Sequence, residues 1–511
     1  MSPPLRVVVL GSGIAGLSTA WQLARLVSPA RVKITVLEAA DRSGGWIRSE
    51  RIGGDAALFE SGPRTLRPSG VAGWVTLEAV SSRCRANRGY RQAVSALGLT
   101  PEITWASKSS APARNRFLYH RNCLRALPSS LRSLASTRDP FVWRLLAAAA
   151  REPFARRRDA GCADAGMDDD ESVDAFVRRR FGAQVADNLV SAVVHGIYAG
   201  DSRNLSVRSV FPSLWSAERR RGSVVLGLFG PEDAETAERE RRARQSVEDR
   251  DPDLARNASN SSMYAFANGL QVFSDRMVED MKRMGVEVLL NTPCTDLELG
   301  GDDTIRVSTA NTAVPELIAD RVVSALPAWT LHDVLRCCPL PELERQMFPT
   351  VDVAVANFAF RGEPGRVLPV AGFGYLVPRP DMAQHDELGV IFDSCAMPAQ
   401  DLSRAMTRLT VMMGGHAFES KFAGVDDERI LERARKVVAV RLGIRERPAE
   451  SRVRVLRRCI PQPAVGCRSR THDLHLALVR RFRGKLSVVG ASYNGVAVND
   501  LVRAGRDLAE R

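Results

Sequence analysis

Six residues near the start of the chain, Gly11-Ser12-Gly13-Ile14-Ala15-Gly16, can hold an anion with backbone alone. The first glycine permits a tight turn, the second lets a pyrophosphate approach the main chain, and the third allows close packing of helix on strand. The N–H groups of a helix starting there would point at the phosphates. Glu38, 22 positions past Gly16, ends an apolar run, where a carboxylate can accept hydrogen bonds from ribose hydroxyls. At the far end, Gly490-Ala491-Ser492-Tyr493-Asn494-Gly495 is a second glycine loop. A helix beginning near Val496 would aim its positive end at negative charge gained by a reduced ring system. Either loop alone is a common turn, but two of them at opposite ends, each after a strand, favour one dinucleotide lying across the fold.

These loops require particular elements around them. LRVVVL (5–10) is a β-branched strand, Leu17, Ala20, Leu23 and Leu26 mark a helix, and VKITVL (32–37) is a second strand, giving a βαβ unit. Residues 74–230 read as helical and arginine-rich, with helices at 142–151, 173–181 and 185–197. Residues 231–262 lose apolar anchors and read as a charged linker, disordered or a solvated helix. Short strands follow at 286–290, 305–307 and 321–325. Alternating runs at 351–360, 372–377, 388–393 and 409–413 predict an antiparallel sheet. A helix at 427–442 and a strand at 485–490 complete the pattern. The first domain, lacking a strand that arrives only near the C-terminus, is discontinuous.

The chain has 511 residues, a net charge of +13 and 72 basic side chains, all but six of them arginine. A basic balance fits nucleic acid, anionic lipid or a carboxylate-bearing substrate and selects none. No run of about 18 apolar residues occurs, which excludes a spanning helix. Nine scattered cysteines, without a CxxC pair, and seven dispersed histidines predict reduced, mostly buried thiols and no metal centre. The strand at Leu5 leaves no room for a removable targeting peptide.

Glu38-Ala39-Ala40-Asp41-Arg42-Ser43-Gly44-Gly45-Trp46 resembles the glutamate, arginine and paired-glycine extension of two-dinucleotide-binding flavoproteins. Further segments resemble the protoporphyrinogen oxidase family, its fungal branch in particular, within the flavin amine oxidase-like superfamily. They include GGWIRS (44–49), ESGPRTLRP (60–68), NRFLY (115–119), VHGIYAGD (194–201), GFGYLVPRP (372–380), GVIFDSCAMPAQD (389–401), TVMMGGH (410–416) and GASYNGVAVND (490–500).

The resemblance implies an α/β fold: a discontinuous Rossmann-like FAD-binding domain (1–73, 263–330, 456–511), an inserted mixed or antiparallel-sheet substrate domain (331–455) and a helical membrane-binding domain (74–230). It places FAD contacts on Gly11, Ser12, Gly13, Ile14, Ala15, Gly16, Glu38, Arg42, Gly45, Trp46, Gly62, Pro63, Arg64, Thr65, Cys294, Ala491, Val496, Ala497 and Val498. Arg116 resembles the arginine that receives a propionate, and Phe373 and Leu376 the pair that sandwiches a pyrrole ring. Arg64, Phe373 and Leu376 are the expected catalytic residues.

The implied activity is oxidation of protoporphyrinogen IX by oxygen in three two-electron steps, with no dedicated acid or base. The implied location is the intermembrane-space side of the mitochondrial inner membrane, held peripherally. Ferrochelatase and a second copy of the chain are implied partners, and nucleic acid is not. Two other readings stay open: a flavin amine oxidase, which would show an aromatic cage where this chain offers Tyr493, and a non-catalytic scaffold like the escort proteins of prenylated GTPases. The chain departs from the family at Pro463, Cys467, Ala417 and Leu501, and by an extra basic stretch at 81–92.

Overall fold

A computed structural model describes residues 3–54, 57–81, 97–128, 139–155, 169–231, 233–403 and 405–511. Its centre is a five-stranded parallel sheet ordered Leu486–Val488, Arg321–Ser324, Leu5–Leu10, Val32–Leu37, Glu287–Leu289. Strands buried on both faces read as continuous apolar runs. In Leu5–Leu10, Val7 and Val9 enter one core while Val8 and Leu10 enter the other. The helix Ile14–Leu26 packs on the first face together with the C-terminal helix Val498–Ala509. Their contact is close because Gly505 has no side chain: a Cβ there would fall 2.8 Å from Ser18 Cβ and 2.9 Å from Thr19 N.

A second, seven-stranded sheet runs Glu450–Pro461, Thr350–Arg361, Met406–Gly415, Glu387–Ile391, Gly374–Leu376, Arg116–His120, Cys123–Leu127. Its pairings are antiparallel except where Tyr375 and Leu376 lie parallel to Phe117 and Leu118. The helix Asp427–Leu442 covers one face, burying Ile430, Ala434 and Val438 against Phe358, Leu409 and Val411. A smaller antiparallel sheet of Cys294–Leu299, Ile305–Thr309 and Glu316–Ala319 leads into the central one.

The α/β class and the discontinuity agree with the sequence reading, and three boundaries differ. Residues 116–127, expected among helices, form a hairpin of the seven-stranded sheet. The strand Ile103–Ser107, also in that region, pairs with Ser261–Phe266. The strand Glu450–Pro461 crosses the expected boundary after residue 455 to pair with Thr350–Arg361. The charged linker takes the helical of its two expected forms, at Ala234–Glu248 and Pro252–Asn260. Glu235–Arg239, Glu238–Arg242 and Arg244–Glu248 pair one turn apart along the first of these helices, and Val247, Leu254, Ala255 and Ala258 anchor both in the core.

The helices at Pro140–Arg151 and Val173–Phe181 stand where the pattern put them, and the 185–197 segment is a wide turn, Val185–Val190, continued by Ser191–Tyr198. Most of the extra basic stretch, from residue 82 onward, lies outside the described residues. The described cysteines are all free, but only Cys459 is buried, and Cys123 and Cys337 are exposed, against the expectation of mostly buried thiols. No helix among the described residues is long and apolar enough to cross a membrane.

Candidate active site

The carboxyl ends of the parallel strands bring four chain segments together through glycines. Gly11, at φ +91°, and Gly490, at φ +134°, flank the carbonyl of Ala325, which a Cβ on either would approach to 3.5–3.6 Å. A Cβ on Gly16 would lie 2.0 Å from the carbonyl oxygen of Gly11. Gly44 donates its N–H to Ser12 O (2.8 Å), and a Cβ on Gly45 would reach Gly13 Cα at 3.2 Å. Gly62 continues the nesting, since its Cβ would sit 2.1 Å from Trp46 O. Gly13 is the exception: nothing lies within 4 Å of a Cβ placed there.

Side chains fix these loops. Arg42 donates to the carbonyls of Ser43 (2.7 Å), Gly45 (2.9 Å) and Ile47 (2.7 Å), clamping the paired glycines. Glu38 accepts from Ser12 N (2.8 Å), Ser12 Oγ (2.7 Å) and Ala40 N (3.0 Å). Thr292 donates its N–H to Glu38 O (2.7 Å), which brings Cys294 close to the same corner. Burial pushes the Cys294 thiol up to about 12, so it serves as a small uncharged surface.

The helix after Gly13 and the helix after Ala497 both lack a side-chain cap, leaving their first N–H groups to an outside acceptor. Ile14, Ala15 and Val498 bury their side chains in the core, so they can serve a ligand only through backbone. Ala491 also packs against that core, whereas Val496 packs on the helical layer. Trp46 and Ala497 are exposed at the rim, and Pro63 and Thr65 are half-buried beside Arg64. Open space at Gly13, two uncapped helix N-termini and converging bare backbone are what a pyrophosphate-bearing dinucleotide requires, so these residues fit FAD.

Beyond the cradle, Arg64 pairs in a buried site with Asp393 (2.7 Å). Glu60, four residues earlier, accepts from Ser49 Oγ and Leu270 N (both 2.7 Å), and burial raises its pKa to about 7. Arg116 opens its strand next to Gly374, and Phe373 donates its N–H to Asn115 O (3.0 Å), so both belong to one strand pair. Arg116 itself is exposed, and crowding by the surrounding protein first, and then the charge of Arg67, lower its pKa. Phe373 packs on Ala106, Met263, Ala265, Ala396 and Met397, whereas Leu376 packs with Leu118, Phe141 and Ala192. The two therefore sit in separate apolar clusters. Sequence reasoning missed Arg67 and Asp393, which acquire meaning only once the loops and the sheet meet.

Two expectations follow. Gly13→Val has room for its side chain, so the protein should fold yet purify without flavin. Gly16→Val should instead lose stability, since its neighbour is backbone. Absorbance near 450 nm per protein and thermal melting separate the two, and full FAD retention in Gly13→Val would refute the cradle. Glu60 holds its proton in the folded state up to about 7, whereas the unfolded carboxyl releases it near 4.3. Stability should accordingly fall as pH rises between those values, by at most about 1.4 kcal/mol per pH unit. In Glu60→Gln, melting curves should lose that component, and an unchanged slope would contradict it.

Comparison with known proteins agrees with the fold and with a flavin cofactor. Residues 14–511 match the family described as flavin containing amine oxidoreductase. The protoporphyrinogen oxidase of Homo sapiens is 36% identical over 512 residues, covering 98% of this chain and 97% of that one. That of Schizosaccharomyces pombe is 32% identical over 524 residues, covering 99% and 98%. A solved structure from Exiguobacterium superposes with a TM-score of 0.74 at 20% identity, covering 100% of this chain and 98% of that one, which supports the fold. The chain belongs to the family of flavin-containing amine oxidoreductases, where its full-length relatives are protoporphyrinogen oxidases.

Proposed function

We propose that this chain oxidises protoporphyrinogen IX to protoporphyrin IX, passing six electrons to three molecules of oxygen and yielding three of hydrogen peroxide. The carrying observation is end-to-end similarity to protoporphyrinogen oxidases, joined to a strand pair that sets Arg116 beside the Phe373–Leu376 segment. FAD, when bound, supplies the two-electron redox chemistry and its transfer to oxygen. The chain's own residues do the rest. Arg116, with Arg67 as a neighbouring positive charge, suits the two propionates, because a guanidinium fork matches a carboxylate. Phe373 and Leu376 offer apolar walls suited to a macrocycle. Positioning carries the reaction, and no side chain is required as acid or base.

The amine oxidase alternative needs an aromatic cage. Tyr493 cannot supply one, because its ring packs edge-on against Phe348 (5.8 Å) with the core under the parallel sheet.

Arg116→Ala should raise KM for the dicarboxylate substrate ten- to hundredfold, the loss of one charge-assisted contact of about 1.5–3 kcal/mol. Unchanged steady-state kinetics would refute the propionate contact.

We assign membrane contact to the helical layer. Glu152, paired with buried Arg180, accepts from Val224 N (2.8 Å) and Val225 N (3.0 Å), joining the turn Glu152–Phe154 to the helix Val224–Leu228. Phe154 and Phe229 are 91% and 90% exposed there, with Leu226 and Leu228 half-exposed and Arg151 nearby. Such a rim suits an anionic lipid surface. By the same resemblance we place the protein peripherally at the mitochondrial inner membrane, facing the intermembrane space. Ferrochelatase and a second copy of the chain are proposed as partners on that resemblance alone. High salt should release part of the protein from anionic vesicles and detergent the rest. Phe154→Asp with Phe229→Asp should abolish the salt-resistant part while sparing flavin content, and full vesicle binding by that double variant would refute the patch.

A further inference from the structure

Arg64 is 8% exposed, and only one side of its guanidinium is used: Nη1 donates to Asp393 Oδ1 (2.7 Å), while Nη2 is buried with no partner in the protein. A buried guanidinium left half-satisfied is costly unless another acceptor arrives. The other half of the pair is thoroughly held. Asp393 Oδ2 accepts from Thr410 Oγ1 (2.7 Å), and Thr410 Oγ1 accepts from Asn357 Nδ2 (2.8 Å). Asn357 and Thr410 are direct cross-strand partners, and Asn357 Nδ2 also donates to Glu60 O (3.2 Å), returning to the segment that carries Arg64. One residue before Asp393, Phe392 donates its N–H to Phe373 O (2.9 Å). Arg64 itself lies two residues past Gly62, which nests on Trp46 of the paired-glycine loop.

We propose that Asp393 is a positioning residue: it holds Arg64 so that the free Nη2 meets an acceptor on the bound dinucleotide, and ties that contact to the wall built by Phe373. The assignment rests on the FAD reading above. The network is rigid because each member is fixed by at least one other, and two of them stand on paired strands. Nothing in the motif GVIFDSC marks its aspartate for this role. The role arises from a loop of the FAD cradle meeting the substrate sheet.

The test uses the purified full-length chain, converted to apoprotein and titrated with FAD by flavin fluorescence. Asp393→Asn should weaken FAD binding ten- to hundredfold, as should Arg64→Lys, which cannot span both sites. The double variant should bind no worse than Arg64→Lys alone, since Asp393 acts through Arg64. With FAD loaded at saturation, Asp393→Asn should also raise the midpoint potential of the flavin, because a negative charge beside the cradle is gone. A merely structural aspartate would lower the melting temperature without moving the potential. Wild-type affinity and potential in Asp393→Asn, or additive losses in the double variant, would overturn the proposal. Should Asp393→Asn fail to accumulate, Thr410→Val carries the test: several-fold weaker FAD binding supports the proposal, and wild-type binding overturns it. Wild-type protein that takes up no FAD would instead remove the reading beneath it.

Discussion

Backbone must touch backbone where the parallel strands end, and the rest of the molecule depends on that. Gly16 against Gly11, Gly45 against Gly13 and Gly62 against Trp46 are approaches that even one methyl group would obstruct. Each lets one stretch of backbone lie on another, and so fixes the height of the next loop. The cost is conformational: glycines are expensive to order, and Gly11, Gly44, Gly45 and Gly490 adopt positive φ. The offset comes from clamps such as Arg42 and Glu38, and from the uninterrupted apolar core on both faces of the parallel sheet.

How much of this could be read in advance follows from the range of the interactions. The cradle was legible because its signal is local, a strand followed by glycines, a helix and a carboxylate. The substrate strands were legible for the same reason, as period-two alternation marks a half-buried strand. The hairpin carrying Arg116 was not. Its two-residue turn, Arg121-Asn122, has both residues at positive φ, and lacks the glycine that normally announces such a turn. The polar 231–262 segment looked anchorless because its anchors are few, although its one-turn spacing of Glu and Arg was a helical signal. Asp393 and Arg67 carried no local signal of their own, since the residues that give them meaning, Arg64 and Arg116, lie on other elements of the chain.

The arginine surplus looks different once folded. Many guanidiniums are spent on structure: Arg180 on Glu152, Arg408 on Asp401, Arg379 on Asp174 and Asp187. Charge count therefore said little about ligands. Position says more, because Arg116 opens the second strand from the sheet's edge with the like charge of Arg67 close enough to lower its pKa.

The hairpin 116–127 also sets a timetable for making the protein. Its inner neighbour is the strand Gly374–Leu376, and the sheet is completed only by Glu450–Pro461. At about 5–20 residues per second, a ribosome leaves the hairpin waiting on the order of half a minute for that last strand. Until Gly374–Leu376 is made, Phe117, Leu118 and Tyr119, all buried in the finished protein, have no sheet to enter. The strand that carries Arg116 is thus a part of the nascent chain that needs shelter while its partners are being made.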